Sequence, residues 1–291
     1  MIEALLEKAL YDADIPLPEQ DVNEKSFTRW GKNSRFWAIK VDDGYFFGDF
    51  VSGSSLSVFQ NNDIVRDREW FSRKVSPDHI RHWQLEQDYF HDLAKQRAQS
   101  VWDTLPFLTY SHPYLSKKKA LNMGLKLSGK GNLVIPLKDT KGEIWTLQFI
   151  TPHGEKFYLK GGRKAGKYFM FGKPGERIFL CEGYATASSV YMAVKECVVA
   201  CFDAGNLEKV GSEIVVKYPD KKLVFCADND RFHEYNTGIE KATLAAKMLK
   251  AKVVYPVFDD KDTQSTDFND LHCWYGLDLV KAQIQGALTV K

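Results

Sequence analysis

The sequence predicts a C-terminal α/β domain with a parallel sheet flanked by helices, preceded by a smaller α+β region with antiparallel strands. From residue 177 onward, short apolar runs alternate with helix-period segments, which is typical of buried parallel strands covered by helices. Upstream, aromatic and β-branched runs are separated by Gly and Asn turns, as in antiparallel sheets. A chain of 291 residues has room for about two or three such regions.

The first region, residues 1–106, is predicted to be an α+β domain. Residues 26–59 indicate an antiparallel meander, and residues 78–103 show the apolar period of an amphipathic helix. The aromatic side chains of the meander either stack unpaired bases or build the core of the sheet, and we expect core packing. These aromatic residues are Trp30, Phe36, Trp37, Tyr45, Phe46 and Phe47.

The second region, residues 107–175, is predicted to be a β-rich basic subdomain. Two strands flank a turn at 139–142, and a loop follows in which six cationic side chains accompany Glu155 alone. Such a loop is either a solvated hairpin or a binding site for the phosphates of a nucleotide or nucleic acid, and we favour the binding site. The candidate contacts are Lys156, Lys160, Arg163, Lys164 and Lys167, with Lys241 farther along the chain.

The third region, residues 176–291, is the predicted α/β domain. Its strands are expected at 178–181, 198–202, 223–227 and 253–258, and its helices at 185–195, 207–218 and 238–251.

Carboxylates follow the apolar runs at the points where the predicted strands end. Glu182 follows the first run, and Asp228 and Asp230 follow the third. Because the carboxyl ends of parallel strands meet at one edge of a sheet, these side chains should lie close together. Carboxylates in such a group repel each other unless a cation or a proton separates them, and Mg²⁺ is the simplest neutralising ion. The sequence therefore predicts a divalent-metal site at this edge.

Three further acidic residues have more than one interpretation. Asp203 follows the second run, where a helix cap is the expected role. Asp267 and Asp270 either begin the last helix or contribute to a metal or phosphate site.

Composition excludes several classes of protein. The net charge of +2 is far from that of a globally basic nucleic-acid-binding protein, so any such site must be local. No apolar run approaches the roughly 18 residues of a membrane span, and the N-terminus is acidic, so we expect a cytoplasmic protein with no membrane partner. The five cysteines include no paired CxxC motif; we expect buried thiols and no zinc site.

Three motifs together resemble the Toprim domain of the EGYATA-type primases of plasmids and satellite phages. They are CEGYATA at 181–187, CADND at 226–230 and TDFNDLH at 266–272. The resemblance covers most of the chain, because upstream segments such as HPYLSKKKA at 112–120 also look like that family.

The resemblance implies a Toprim-type sheet in residues 176–291 and roles for its acidic residues. Glu182 corresponds to the family glutamate that acts as general acid or base or as a metal partner. Asp228 and Asp230 correspond to the pair that holds Mg²⁺ or Mn²⁺, and Asp267 and Asp270 resemble the later motif that can support a second ion.

The function that the resemblance implies is a DNA primase, which makes short RNA primers from ribonucleoside triphosphates on a single-stranded DNA template. Two alternatives stay open: a Toprim-type metal-dependent nuclease, and a non-catalytic protein that binds single-stranded DNA or a replication origin. Larger family members carry a zinc ribbon and a helicase. We expect neither in this chain, which leaves template selection and unwinding to another polypeptide such as a separate replicative helicase.

Overall fold

The computed structural model describes residues 4–23, 27–41, 44–49, 54–59, 64–65, 77–233, 235–259 and 264–289. The chain separates into two compact units, Met1–Tyr89 and Phe90–Lys291. The division of the chain at residues 106 and 175 stays a prediction.

The described part of the first unit contains a short helix, an antiparallel meander and the beginning of a long helix. Helix α1 (Ala4–Asp12) precedes strands β1 (Thr28–Trp30), β2 (Phe36–Val41), β3 (Gly44–Asp49), β4 (Ser54–Phe59) and β5 (Ile64–Val65), which pair in chain order. The meander confirms the prediction for this segment, although residues 26, 42–43 and 50–53 lie outside the described residues. All six aromatic residues singled out in the sequence are buried, as expected of a sheet core.

The long helix α2 (Pro77–Thr104) confirms the predicted helix, although Phe90 and Leu93 of its predicted apolar face are exposed. Within the second unit, Ala98 of this helix is fully buried and packs in one cluster with Val134, Ile144 and Leu147. The helix ends just before Pro106, which cannot continue it because proline lacks a backbone N–H. The short helix α3 (Pro113–Lys117) follows and is capped by the side chain of His112.

The second unit begins with a four-stranded antiparallel sheet. Strands β6 (Lys126–Leu127), β7 (Leu133–Lys138), β8 (Ile144–Ile150) and β9 (Lys156–Tyr158) pair in that order. Strands β7 and β8 confirm the two predicted strands. Asp139 fixes the turn between them, because its carboxylate accepts hydrogen bonds from the N–H groups of Lys141 and Glu143.

A five-stranded sheet forms the centre of the second unit. Its strands are β10 (Phe169–Phe171), β11 (Arg177–Cys181), β12 (Cys197–Ala200), β13 (Lys222–Cys226) and β14 (Lys252–Val254), in the spatial order β10, β12, β11, β13, β14. Four strands are parallel, which confirms the predicted sheet. Strand β10 differs, since it pairs antiparallel with β12 and is the edge strand on that side of the sheet.

Helices cover both faces of this sheet. One face packs against α4 (Tyr184–Val194), α7 (Phe268–Tyr275) and α8 (Leu277–Thr289), and the other against α5 (Leu207–Lys217) and α6 (Thr237–Leu249). Both faces are therefore apolar, which explains why the strands read as continuous apolar runs. Strand β14 ends earlier than predicted, two residues before Pro256.

The core of this sheet is continuous with the upstream part of the second unit. Leu133 and Ile135 of β7 belong to the same buried cluster as Phe179 of β11 and Val224 of β13. The cysteines at positions 181, 197, 201 and 226 are buried free thiols.

None of the helices in the described part of the chain combines the length and the apolarity that crossing a bilayer requires.

Candidate active site

Glu182 and Asp228 meet at the carboxyl edge of the central sheet. Strands β11 and β13 are neighbours in parallel register, with Cys181 opposite Cys226, so the residues that follow each strand emerge side by side. The carboxylate of Glu182 accepts a backbone hydrogen bond from Asp228. The edge of the sheet thus brings together two side chains that are 46 positions apart in the sequence.

Burial and neighbouring carboxylates raise the pKa of Glu182 and the pKa of Asp228. Burial, followed by the charges of Asp230, Asp203 and Asp267, raises the pKa of Glu182 to about 7. Burial also raises the pKa of Asp228 well above its usual range, and the charges of Glu182, Asp267 and Asp230 add to this effect. Negative charge is therefore costly at this site unless a proton or a cation compensates for it.

Two oxygen atoms of this group have no hydrogen-bond partner among the described residues. Within the residues that the structure describes, Oε1 of Glu182 and Oδ1 of Asp228 are buried carboxylate oxygens without a partner. Buried carboxylate oxygens normally accept hydrogen bonds or coordinate a cation. This pair consequently fits a hard divalent ion such as Mg²⁺, which binds carboxylate oxygens.

The carboxylates do not yet form a complete set of metal ligands. In the described ranges, no three His, Cys, Asp or Glu side chains are grouped closely enough to hold a metal ion by themselves. Mg²⁺ commonly uses only one or two carboxylates and completes its shell with waters and substrate phosphates. An incomplete protein shell is therefore compatible with an ion that arrives with its substrate.

Asp230 lies in a loop that two asparagines hold in place. Its carboxylate accepts a hydrogen bond of 2.8 Å from the N–H of Gly238, and its own N–H donates to Oδ1 of Asn236 at 3.0 Å. Asn236 also caps helix α6 and donates to Oδ1 of Asn229 at 2.8 Å. The acidic pair and the start of α6 therefore form one hydrogen-bonded unit.

Asn229 connects this unit to the loop that follows β14. Its backbone N–H donates to the carbonyl of Thr266 at 2.7 Å, and its side chain donates to the carbonyl of Pro256 at 3.0 Å. These bonds bring Asp267 towards Asp228. Asn229 and Asn236 were not among the predicted site residues; the position of Asn236 before a Thr-Gly pair, typical of a helix cap, is the sequence pattern that indicates it.

Asp267 and Asp270 both have partners within the protein. Oδ1 of Asp267 accepts the N–H of Asp270 at 2.8 Å and caps helix α7, while the side chain of Thr186 also donates to Asp267. Asp270 accepts from Lys118 Nζ at 3.2 Å and from the N–H of Thr266 at 3.1 Å. The structure confirms that this segment begins the helix, and a metal role for the two residues stays a prediction.

Lys118 is a residue of this site that the sequence analysis missed. Burial alone would lower the pKa of Lys118. The charges of Asp267 and Asp270 and the hydrogen bond to Asp270 raise the pKa by a larger amount, so the net pKa is above its ordinary value. The segment 112–120 contains three consecutive lysines, and no local pattern distinguishes the one that points to the carboxylates.

Two residues of the predicted basic loop lie near the carboxylates. Desolvation by surrounding protein atoms lowers the pKa of Lys156, although the charges of Asp267 and Asp228 act in the opposite direction. Lys164 forms an ion pair with Asp203. Asp203 precedes a 3₁₀ turn but makes no side-chain capping bond, so its predicted role as a cap is wrong.

The other predicted cations lie elsewhere on the second unit. Arg163 and Lys167 lie 5.7 Å and 4.8 Å from the centre of the Trp145 ring, and Lys95 contacts the same ring at 4.5 Å. Lys167 is buried and faces Glu213 at 3.8 Å. The structure thus divides the basic segment between the carboxylate edge and the surroundings of Trp145.

The remaining two predicted contacts, Lys160 and Lys241, are exposed. Lys160 follows strand β9, and Lys241 lies in the first turns of helix α6, which begins next to Asp230.

Comparison with known proteins identifies the central sheet. Residues 177–278 match the family model described as the Toprim domain. The chain is also similar to two Escherichia coli proteins named DNA primase TraC. It is 30% identical to the first over 240 residues, or 74% of this chain and 16% of the relative. It is 33% identical to the second over 243 residues, or 75% of this chain and 23% of the relative.

The chain therefore spans less than a quarter of the length of these curated relatives. Among solved structures, the DnaG primase catalytic domain bound to ssDNA has a TM-score of 0.49 at 11% identity, covering 68% of this chain and 80% of that one. The Aquifex aeolicus primase, with its zinc-binding and RNA polymerase domains, has a TM-score of 0.41 at 13% identity, covering 90% of this chain and 80% of that one.

Proposed function

We propose that this chain, whose residues 177–278 are a Toprim domain, is a DNA primase that makes short RNA primers on single-stranded DNA. The observation that carries the proposal is the pair of buried carboxylate oxygens on Glu182 and Asp228, at the edge of the Toprim sheet, which have no partner among the residues that the structure describes. Its similarity to DNA primase TraC over 74% of the chain supports this reaction over others that use a Toprim domain.

The proposed substrates are ribonucleoside triphosphates and a single-stranded DNA template, and the proposed cofactor is Mg²⁺ or Mn²⁺. We assign the protein to the cytoplasm, with a separate replicative helicase as partner. These assignments follow from the proposed reaction, because primers are made where a duplex has been opened.

In the proposed mechanism, Glu182 accepts the proton of the attacking 3′-hydroxyl. Its pKa of about 7 suits this role, because a general base works best when its pKa lies near the operating pH. Asp228 and Asp230 would hold a divalent cation, with Glu182 beside them. When bound, such an ion offsets the negative charge that develops on the reacting phosphate.

The cationic side chains of the second unit complete the proposed site. Lys156 lies close enough to Asp228 and Asp267 for their charges to act on its pKa, and its partly exposed side chain can contact a triphosphate that approaches the carboxylates. Arg163, beside Trp145, presents a planar guanidinium that suits a template phosphate. Nucleotide and template would thus contact different parts of the basic segment.

The proposal is tested by incubating the pure chain with single-stranded DNA, labelled ribonucleoside triphosphates and Mg²⁺. Labelled primers that grow with time support it. Shortened template without primers would instead indicate a Toprim nuclease, and a gel shift without any product would indicate a DNA-binding protein. Asp228→Asn serves as the inactive variant, and Asp220→Asn, at an exposed turn, serves as the matched control.

A further inference from the structure

The two groups of carboxylates at the sheet edge differ in how their oxygens are satisfied. Glu182 and Asp228 each keep one buried oxygen without a partner in the described part of the chain. Asp270 instead has a partner on each oxygen: Lys118 Nζ on Oδ1 and the N–H of Thr266 on Oδ2. The second group is therefore already compensated by the protein.

Asp267 also accepts hydrogen bonds from within the protein. Its Oδ1 accepts the N–H of Asp270, and it accepts a second hydrogen bond from the side chain of Thr186. The charge of Lys118 also acts on Asp267. A divalent ion at this pair would have to displace these donors, and it would be repelled by the ammonium group.

Lys118 is fixed in position by its backbone as well as by its side chain. The side chain of Asn269 donates to the carbonyl of Lys118 at 2.6 Å, and the neighbouring Lys119 donates through Nζ to the carbonyl of Cys273 at 3.1 Å. Asn269 and Cys273 lie on α7, the helix that carries Asp270. The ammonium and its carboxylate are therefore held from both sides.

We infer that the ammonium of Lys118 takes the place of a second divalent ion at Asp267 and Asp270, so that the chain binds one divalent cation, held by Asp228 and Asp230 beside Glu182. This inference rests on the metal site of the proposed function. Lys118 is then a positioning residue. Its ammonium compensates the charge of Asp267 and Asp270, and the ion binds at the other acidic group.

Counting bound Mn²⁺ by electron paramagnetic resonance tests the inference without any activity measurement. The full chain should bind one Mn²⁺ per molecule, and Asp228→Asn should bind none. Two ions bound to the unaltered chain would overturn the inference alone, and the metal site of the proposed function would stand. If no ion binds, both fail.

Removing the ammonium should open the second group to an ion. Lys118→Met, which removes the ammonium and keeps an unbranched side chain, should raise the count from one Mn²⁺ to two, while Lys117→Met, at an exposed position of helix α3, should leave it at one. A correctly folded Lys118→Met protein that still binds a single ion would contradict the inference.

Asp270→Asn provides an independent test if the lysine variant does not fold. Because the inference excludes Asp270 from the ligands, this variant should bind its single Mn²⁺ with a Kd within about threefold of the unaltered value. A loss of affinity beyond about tenfold in the folded variant would make Asp270 a ligand and overturn the inference.

Discussion

Glu182 combines two properties that suit a catalytic residue. One oxygen of its carboxylate has no partner in the described part of the chain, and its pKa is raised to about 7 by burial and by neighbouring carboxylates. The first property favours a cation, and the second favours proton transfer near neutral pH. At the scale of single residues, the environment of Glu182 is therefore the strongest indication of catalysis in this chain.

Glu182→Gln should lower primer synthesis by about 10²–10⁴-fold, because the amide cannot accept the proton while its size is nearly unchanged. The rate of primer formation at saturating substrate measures this effect. Glu208→Gln, at an exposed position of α5, is the matched control. A Glu182→Gln enzyme with full activity would remove the residue from the proposed chemistry.

Some residues of the site follow from a pattern in the nearby sequence, whereas others depend on contacts with distant parts of the chain. Glu182 and Asp228 each follow an apolar run directly and Asp230 lies two residues farther on, so a rule about strand ends was enough to select them. Lys118 pairs with Asp270, which lies 152 positions farther along the sequence, and no pattern near Lys118 predicts this contact. Partners fixed by tertiary packing need the structure.

At the scale of elements, the start of helix α6 is packed tightly against the end of strand β13. A Cβ atom added at Gly238 would clash with the backbone carbonyl of Asp228 and lie 3.1 Å from Oε1 of Glu182. This contact explains why glycine occupies the second position of the helix. The distance between these two elements determines the geometry of the acidic group.

Gly238→Ala should push helix α6 away from the sheet and weaken Mn²⁺ binding by about tenfold or more, since the clash involves backbone that cannot rotate away. The control is Gly286→Ala in helix α8, where no described atom lies within 4 Å of the new methyl group. That change should stabilise the protein by up to about 1 kcal/mol through helix propensity. Equal metal affinity in the two variants would argue against the tight contact.

The elements themselves were largely predictable. The helices α4, α5 and α6 begin and end within two residues of their predicted bounds, because Gly, Asn and charged turns punctuate this part of the chain. Strand β10 was not predicted. It has only three residues, too few to show a period, and it becomes a strand because the edge of β12 is available for pairing.

At the scale of the whole molecule, charge is distributed unevenly although the net charge is only +2. The segment from residue 151 to residue 175 supplies cations both to the carboxylate edge, through Lys164, and to the surroundings of Trp145, through Arg163. Binding of nucleic acid should therefore depend on this segment and on ionic strength.

The double variant Arg163→Glu and Lys164→Glu should bind single-stranded DNA more weakly and with a flatter dependence on salt. Each lost phosphate contact should reduce the slope of log K against log salt by roughly 0.7. Fluorescence anisotropy across a range of salt concentrations measures both effects. Lys173→Glu, an exposed position in the same segment, is the control, and an unchanged slope in the double variant would exclude this site.

The stability of the protein should depend on pH and on Mg²⁺ together. Because the pKa of Glu182 is raised from 4.5 to about 7 in the folded state, the folded protein holds more protons than the unfolded chain in this interval. Its contribution to stability is complete below about pH 4.5 and is lost as the pH rises through about 7.

Without divalent ions, the free energy of unfolding should fall by on the order of 2 kcal/mol more between about pH 5 and about pH 8 than it does in Glu182→Gln. Mg²⁺ should restore much of this loss at the higher pH, where the carboxylate is ionised, and little at the lower pH. Urea titrations of both proteins, with EDTA or with Mg²⁺, measure the difference. Parallel pH profiles for the two proteins would refute the coupling.

The loop between Asp230 and Asn236 is anchored at both ends. The bonds from Asn236 to Asp230 and to Asn229 hold its base, while Tyr235 near its end is 66% exposed. The exposed Tyr235 can consequently be replaced with little disturbance to the acidic pair. It is equally a practical attachment point, where a fluorescent dye on a cysteine introduced at position 235 would report on whatever enters the catalytic edge.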